Sequence, residues 1–205
     1  MEIKGLSLVV DAIAKRMEEQ KDYLIELDQQ NGDGDLGISM SDGYRAAADY
    51  LAQCDIADLG MALNKAANVF NEKAPSSLGT ITAFIMKGMA KKLKGKEEAT
   101  VAEMANAIIA GLENVCEKAG SKTGEKTILD SLFPGAEALL KYAEEGVKTA
   151  TAEAAKAAAE GSEATKQMKA VWGRAAYFGE KSIGILDGGS VVGRLLFEAI
   201  ADWAK

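Results

Sequence analysis

The stretch Leu27-Asp28-Gln29-Gln30-Asn31-Gly32-Asp33-Gly34-Asp35-Leu36-Gly37 admits readings that lead to different folds. Gly32, Gly34 and Gly37 satisfy the G-x-G-x-x-G spacing, which opens a doubly wound α/β domain when a strand runs into it and a helix out of it. No strand runs in here. Upstream, Leu6, Val9, Val10, Ile13 and Met17, then Leu24 and Leu27, recur every three or four positions, the spacing of one helical face. Asp33 and Asp35 would also repel a bare pyrophosphate. An EF-hand register beginning at Asn31 fails as well, because its sixth position must be glycine and is Leu36. The loop therefore joins two helices.

Working outward, the same spacing predicts helices near 38–54, 58–72, 77–93, 99–119, 127–145 and 150–170, and a last one from about Ser190 to Trp203. With the first run this makes about eight helices and no alternating strand pattern, an all-α chain. Asn31 to Gly37, Ala74 to Ser77, Gly120 to Lys126 and Asp187 to Gly189 punctuate them. Ser76, Ser77 and Ser190 are placed to cap free N–H groups at helix starts, which attract anions. The segment Gly120-Ser121-Lys122-Thr123-Gly124-Glu125-Lys126-Thr127 imitates a P-loop, but Glu125 splits the required Gly-Lys pair and no strand leads in. The alanine-rich stretch 149–164 reads as a surface or close-packed helix.

Three acids sit in eight residues of the first loop. Asp28 ends a helix, where the dipole disfavours negative charge, and Asp33 and Asp35 lie two apart on a loop freed by glycines. Two carboxylates about 4 Å apart at an effective dielectric of about 20 repel by roughly 4 kcal/mol. A divalent cation relieves that cost. All-oxygen ligands select Mg²⁺ or Ca²⁺, and few carboxylates with room for water and phosphate oxygens suit magnesium on a nucleotide. A ligand-free acidic turn is the plainer alternative.

The 205 residues fit one domain, 1–205, that buries its own core. A net charge of −7 opposes nucleic-acid binding, and the lack of any histidine removes Ser-His dyads, HExxH zinc sites and imidazole proton shuttles. Cys54 and Cys116 read as buried thiols of a reducing compartment. With no secretory leader and no uncharged apolar run of roughly 18 residues, a cytoplasmic location and no membrane insertion are expected.

Taken with its flanks to Met40 and Gly43, the acidic loop resembles the nucleotide-binding L subunit of dihydroxyacetone kinase. Further motifs of that family follow in order: Leu78-Gly79-Thr80, then Gly124-Glu125-Lys126-Thr127-Ile128-Leu129-Asp130, then Gly173-Arg174 through Gly184 leading to Asp187-Gly188-Gly189. The resemblance spans nearly the whole chain. It implies a barrel of eight antiparallel helices with ADP or ATP at one end, tied through two Mg²⁺ ions to Asp28, Asp33 and Asp35. It further implies that Leu36, Gly37, Ile38, Ser39, Ser76 and Ser77 line the phosphates, that Gly120 and Ile128 border the base, and that Arg174 contacts phosphate. Asp187, Gly188 and Gly189 would close over the nucleoside.

The activity implied is that of a glycerone kinase, or phosphoenolpyruvate-glycerone phosphotransferase, component whose ketone substrate is held by a separate K-like subunit. A phosphotransferase-system subunit as donor is open beside free ATP, and a homodimer is left open as well. Four departures mark a divergent L-like branch, acting on another small ketose or sugar. Leu36 stands where the family usually has histidine, Gly188 replaces a usual proline and Ala176 a usual serine, and Glu72 to Ser77 replaces a glycine-rich segment. The alternative from another class is a non-catalytic helical module that keeps the barrel to hold a ligand or metal.

Several residues have plainer readings. Arg174 could form a surface ion pair and Asp187 a turn. Lys126 sits beside the proposed pocket but is left out of the site, since pairing with Glu125 or a helix dipole accounts for it as well as nucleotide contact does. Trp172 and Trp203 are expected as core or interface anchors, and Met86, Met89 and Leu93 as core.

Overall fold

The computed structural model describes residues 1–205. Nine α-helices carry the chain: α1 (Ile3–Glu19), α2 (Lys21–Asp28), α3 (Leu36–Ala52), α4 (Leu59–Lys73), α5 (Ser77–Leu93), α6 (Val101–Ala119), α7 (Leu129–Lys141), α8 (Val147–Ala164) and α9 (Gly188–Trp203). The only β pairing is an isolated bridge between Glu2 and Glu98. No helix is long and apolar enough to cross a membrane.

Eight of the nine form a closed ring. Neighbours pack in the order α1, α3, α4, α5, α6, α7, α8 and α9, and α9 returns to α1. The short α2 stands outside that order and packs on α3 and α9. The expected all-α barrel of about eight helices is what forms. The inward stripes merge into one core, in which Met17, Leu24, Met40, Phe70, Leu93, Leu112, Leu129 and Phe197 are fully buried. Tyr44 meets Phe70 edge-on, with ring centroids 4.9 Å apart.

Three sequence expectations need correction. The run from Leu6 to Leu27 is two helices, because Gln20 leaves helical geometry at φ −100°, ψ 7°. The break turns α2 against the start of α3 so closely that a Cβ on Gly37 would lie 2.2 Å from the Lys21 carbonyl oxygen. The helix expected over 127–145 runs only from Leu129 to Lys141 and then tightens into a 3₁₀ turn at Ala143–Glu145. The helix expected over 150–170 ends at Ala164, where the Thr165 hydroxyl bonds back to the Ser162 carbonyl and the chain leaves as a long excursion. Within α8, Ala150, Ala154 and Ala158 are fully buried, so the alanine-rich segment is the close-packed variety of helix.

Candidate active site

Loop lengths set the direction of the helices and thereby build the site. The N-termini of α3, α5, α7 and α9 and the C-termini of α2 and α6 all reach one cavity of about 770 Å³. Four helix starts at one rim make that rim favourable for a polyanion.

Each start is fixed by its own local chemistry. Ser76 accepts from the Gly79 amide at 3.0 Å and donates to the Ser39 hydroxyl at 3.1 Å, linking the starts of α5 and α3. Asp130 gathers the loop before α7 by accepting from the Gly124 amide (2.5 Å) and the Thr127 amide (2.7 Å). Asp187, rather than the expected Ser190, is the acceptor at the start of α9, taking the Ser190 amide at 2.6 Å. Ser190 is instead buried, its hydroxyl on the Asp187 carbonyl and beside Ser162.

Asp28, Asp33 and Asp35 converge: one carboxylate oxygen from each lies within 4.8 Å of the other two. Asp28 shapes the loop as well, accepting the Gly34 amide at 2.7 Å where Gly34 turns through φ +79°. Burial and the neighbouring Asp33 and Asp28 charges push the Asp35 carboxyl above its usual range. An all-oxygen set under mutual repulsion fits a hard dication. Arg174 meets the cluster from across the cavity, its Nη2 2.7 Å from Asp33 Oδ2, so the expected surface ion pair does exist but with one of the three acids.

Other expected residues are distributed more widely. Leu36, Ser76, Ser77, Ile128, Arg174, Asp187, Gly188 and Gly189 line the cavity. Gly37 is buried against α2, Ser39 is buried behind Ser76, and Ile38 points outward. Gly120 caps α6 with φ +71°, and its neighbours Ala119 and Ser121 reach the cavity wall. A Cβ on Gly188 would lie 2.7 Å from Leu36 Cδ2, so two of the departures noted in the sequence touch each other.

Leu78, Ile81, Val115 and Ala119 form an apolar wall that the sequence reading did not assign; they sit at the cavity ends of α5 and α6. Ser121, on the same side, has a buried hydroxyl with no hydrogen-bond partner. Two expectations about larger side chains are narrowed. Trp172 is no core anchor: it is 43% exposed, lines the cavity and donates its indole N–H to Glu125, and Trp203 is also exposed. Lys126 does not pair with Glu125; its ammonium is buried and donates to the carbonyl of Thr165, the C-cap of α8, as the helix-dipole reading expected, and to that of Ile185. Cys54 and Cys116 are free thiols, half-buried rather than buried. Met86 and Leu93 are core residues as expected.

Comparison with known proteins bears on the family and the fold. The DAK2 domain family model matches residues 30–202. The chain is 33% identical over 186 residues to the protein named PEP-dependent dihydroxyacetone kinase 1, ADP-binding subunit DhaL, of Listeria innocua, covering 91% of this chain and 89% of that one. It is 28% identical over 202 residues to the triokinase/FMN cyclase of Mus musculus, of which the match covers 35%. The crystal structure of the dihydroxyacetone kinase of C. freundii superposes with a TM-score of 0.77 at 22% identity, over 97% of this chain and 34% of that one. The ring, the acidic loop and the ordered motifs thus have one common explanation: this chain belongs to the DAK2 domain family, on the branch of the DhaL subunits.

Proposed function

We propose that this chain binds a Mg²⁺-nucleotide, ADP or ATP, and serves as the phosphotransferase subunit of a kinase for dihydroxyacetone or a related small ketose. The convergence of Asp28, Asp33 and Asp35 at a rim of four helix starts carries this reading. The relatives' names support it, as does a second C. freundii kinase structure described as a complex with AMP-PNP and Mg²⁺. Two ions among three aspartates is the stoichiometry we propose. Bound there, magnesium neutralises phosphate charge as it develops in transfer.

The chain's own groups supply positioning. The backbone amides of Leu36 to Ile38 and of Ser77 and Leu78 head α3 and α5 and face phosphate oxygens. Arg174 leaves Asp33 as the cation arrives and turns its guanidinium to phosphate, a bidentate partner. Leu78, Ile81, Val115 and Ala119 take the base, and Asp187 to Gly189 close beside the ribose. With no histidine in the chain, no residue here can hold a ketone as a histidine adduct, which supports a separate K-like subunit carrying the acceptor. Either free ATP or a phosphotransferase donor acting on resident ADP satisfies this geometry.

Calorimetric titration of ADP with and without Mg²⁺ tests the reading. Wild type is expected to bind only with the metal, and Asp33→Ala is expected to lose at least about 2 kcal/mol of that binding. Equal heats in every arm reject it.

A further inference from the structure

Between α8 and α9 the chain makes an excursion, residues 166–185, that carries Trp172 and Arg174 to the cavity. Little in it is self-supporting. Its regular part is 3₁₀ turn, and only Ala170 and Ser182 are buried along its length. Its neck is tied to itself by the Gly184 amide on the Lys166 carbonyl, 2.8 Å, and by the Ala170 amide on the Ser182 hydroxyl, 3.0 Å. Neither tie says where the excursion lies on the ring.

That placement comes from two adjacent residues. Besides the Arg174–Asp33 ion pair, the hydrogen bonds joining the excursion to parts of the ring other than α8 and α9 all run to Glu125 and Lys126. Glu125 receives the Val171 amide on its carbonyl and the Trp172 indole on its carboxylate. Lys126 reaches underneath. Its ammonium donates to the Thr165 carbonyl at 2.6 Å and the Ile185 carbonyl at 2.5 Å, one at each end of the excursion, with only 3% of the residue exposed. Its backbone sits at φ +63°, the one non-glycine residue in the left-handed region. A desolvated ammonium and a left-handed backbone are both costly, and such costs persist where the surroundings over-determine the residue.

We propose that Lys126 is a positioning residue: it fixes the excursion to the loop before α7 and so seats Arg174 over the phosphate end of the cavity. The tie itself is a property of the ligand-free fold; its effect on phosphate contact rests on the nucleotide reading above. Lys126→Met keeps the length and removes the donors. Lys126→Gly also removes them while relieving the left-handed backbone, so it serves if the methionine variant does not fold.

Two measurements on the full chain decide the matter. Native-state trypsin digestion reads the exposed sites Lys169, Arg174 and Lys181, and cleavage there is expected to accelerate by about tenfold or more in either variant, with Lys91 in α5 unchanged. Mg²⁺-ADP titrations across wild type, Arg174→Ala, Lys126→Met and the double variant form a thermodynamic cycle. Arg174→Ala should weaken binding about tenfold in wild type and less than about twofold once Lys126 is gone. A merely structural lysine would lower the melting temperature and leave the Arg174 effect intact. Unchanged cleavage in the excursion, or a full Arg174 effect in the Lys126 background, overturns the proposal. Failure of wild type to bind Mg²⁺-ADP would reject the nucleotide reading, while the digestion would still judge the tie.

Discussion

Leu36 and Gly188 show how single side chains record the history of the rim. Each departs from the pattern that the L-subunit resemblance implies, histidine and proline respectively, and the structure puts them in contact range, 2.7 Å from Leu36 Cδ2 to a Cβ built on Gly188. Gly188 is the first residue of α9, where proline is well tolerated by the backbone. The obstacle is Leu36, which is itself buried. Gly188→Pro and Leu36→His are therefore expected to be less harmful together than the sum of the singles, by about 0.5–1 kcal/mol of coupling in urea denaturation. Asp187, next in line, carries a pH signature. Burial is the main cause of its carboxyl being pushed up to about 7 from an ordinary value near 3.8. Between those two values the folded protein holds more protons than the unfolded chain, so stability falls as pH rises from about 4 to about 7 and levels off above. Asp187→Asn keeps an acceptor for the Ser190 amide and should flatten that part of the profile in metal-free protein, which thermal melts across pH 4–8 would show. The acids were legible because clustering them is costly without a cation, and Arg174 and the rim glycines were legible only through the family resemblance. Lys126 was not, because nothing in a linear sequence tells that a lysine points inward.

At the scale of elements, the periodicity located every helix of the ring and misplaced three ends. Those ends are set by tertiary contact: Gln20 breaks where α2 must reach α3, Lys141 where a 3₁₀ turn begins, and Ala164 where Thr165 turns back onto Ser162. Elsewhere the termini are local and readable, as at α6, where Thr100 and Glu103 form a reciprocal capping box. One close approach between helices turns on single residues as well. A Cβ on Gly88 of α5 would lie 2.6 Å from the Cα of Gly111 in α6, a backbone atom that has no rotamer to yield. Gly88→Ala should therefore cost about 1–3 kcal/mol, despite the better helix propensity of alanine, and denaturation midpoints would report it. The same change at Gly95, a turn glycine with open space around it, meets no such contact and would show only the penalty of its φ of +84°.

Over the whole molecule, the ring closes where α9 meets α1, and Arg16 spans that seam to Glu198 and Asp202. Partly exposed pairs of this kind contribute at most about 1 kcal/mol, so closure rests on the buried apolar stripes. Those stripes made the all-α class and the helix count readable from spacing, whereas the barrel was implied only by the family resemblance. The apolar wall of the cavity was hidden for the same reason: Leu78, Ile81, Val115 and Ala119 continue the core pattern of their helices and differ only in lying at the open end. Most of the cavity comes from first or last turns, from loops or from the excursion, and Ile81 and Val115 lie only one turn further in. Packing and the cavity wall overlap narrowly, at Leu36, Val115, Ile128 and Leu129. Mutational drift can therefore redraw the loops of the mouth freely, while at those four shared positions any change in the wall is also a change in foldability.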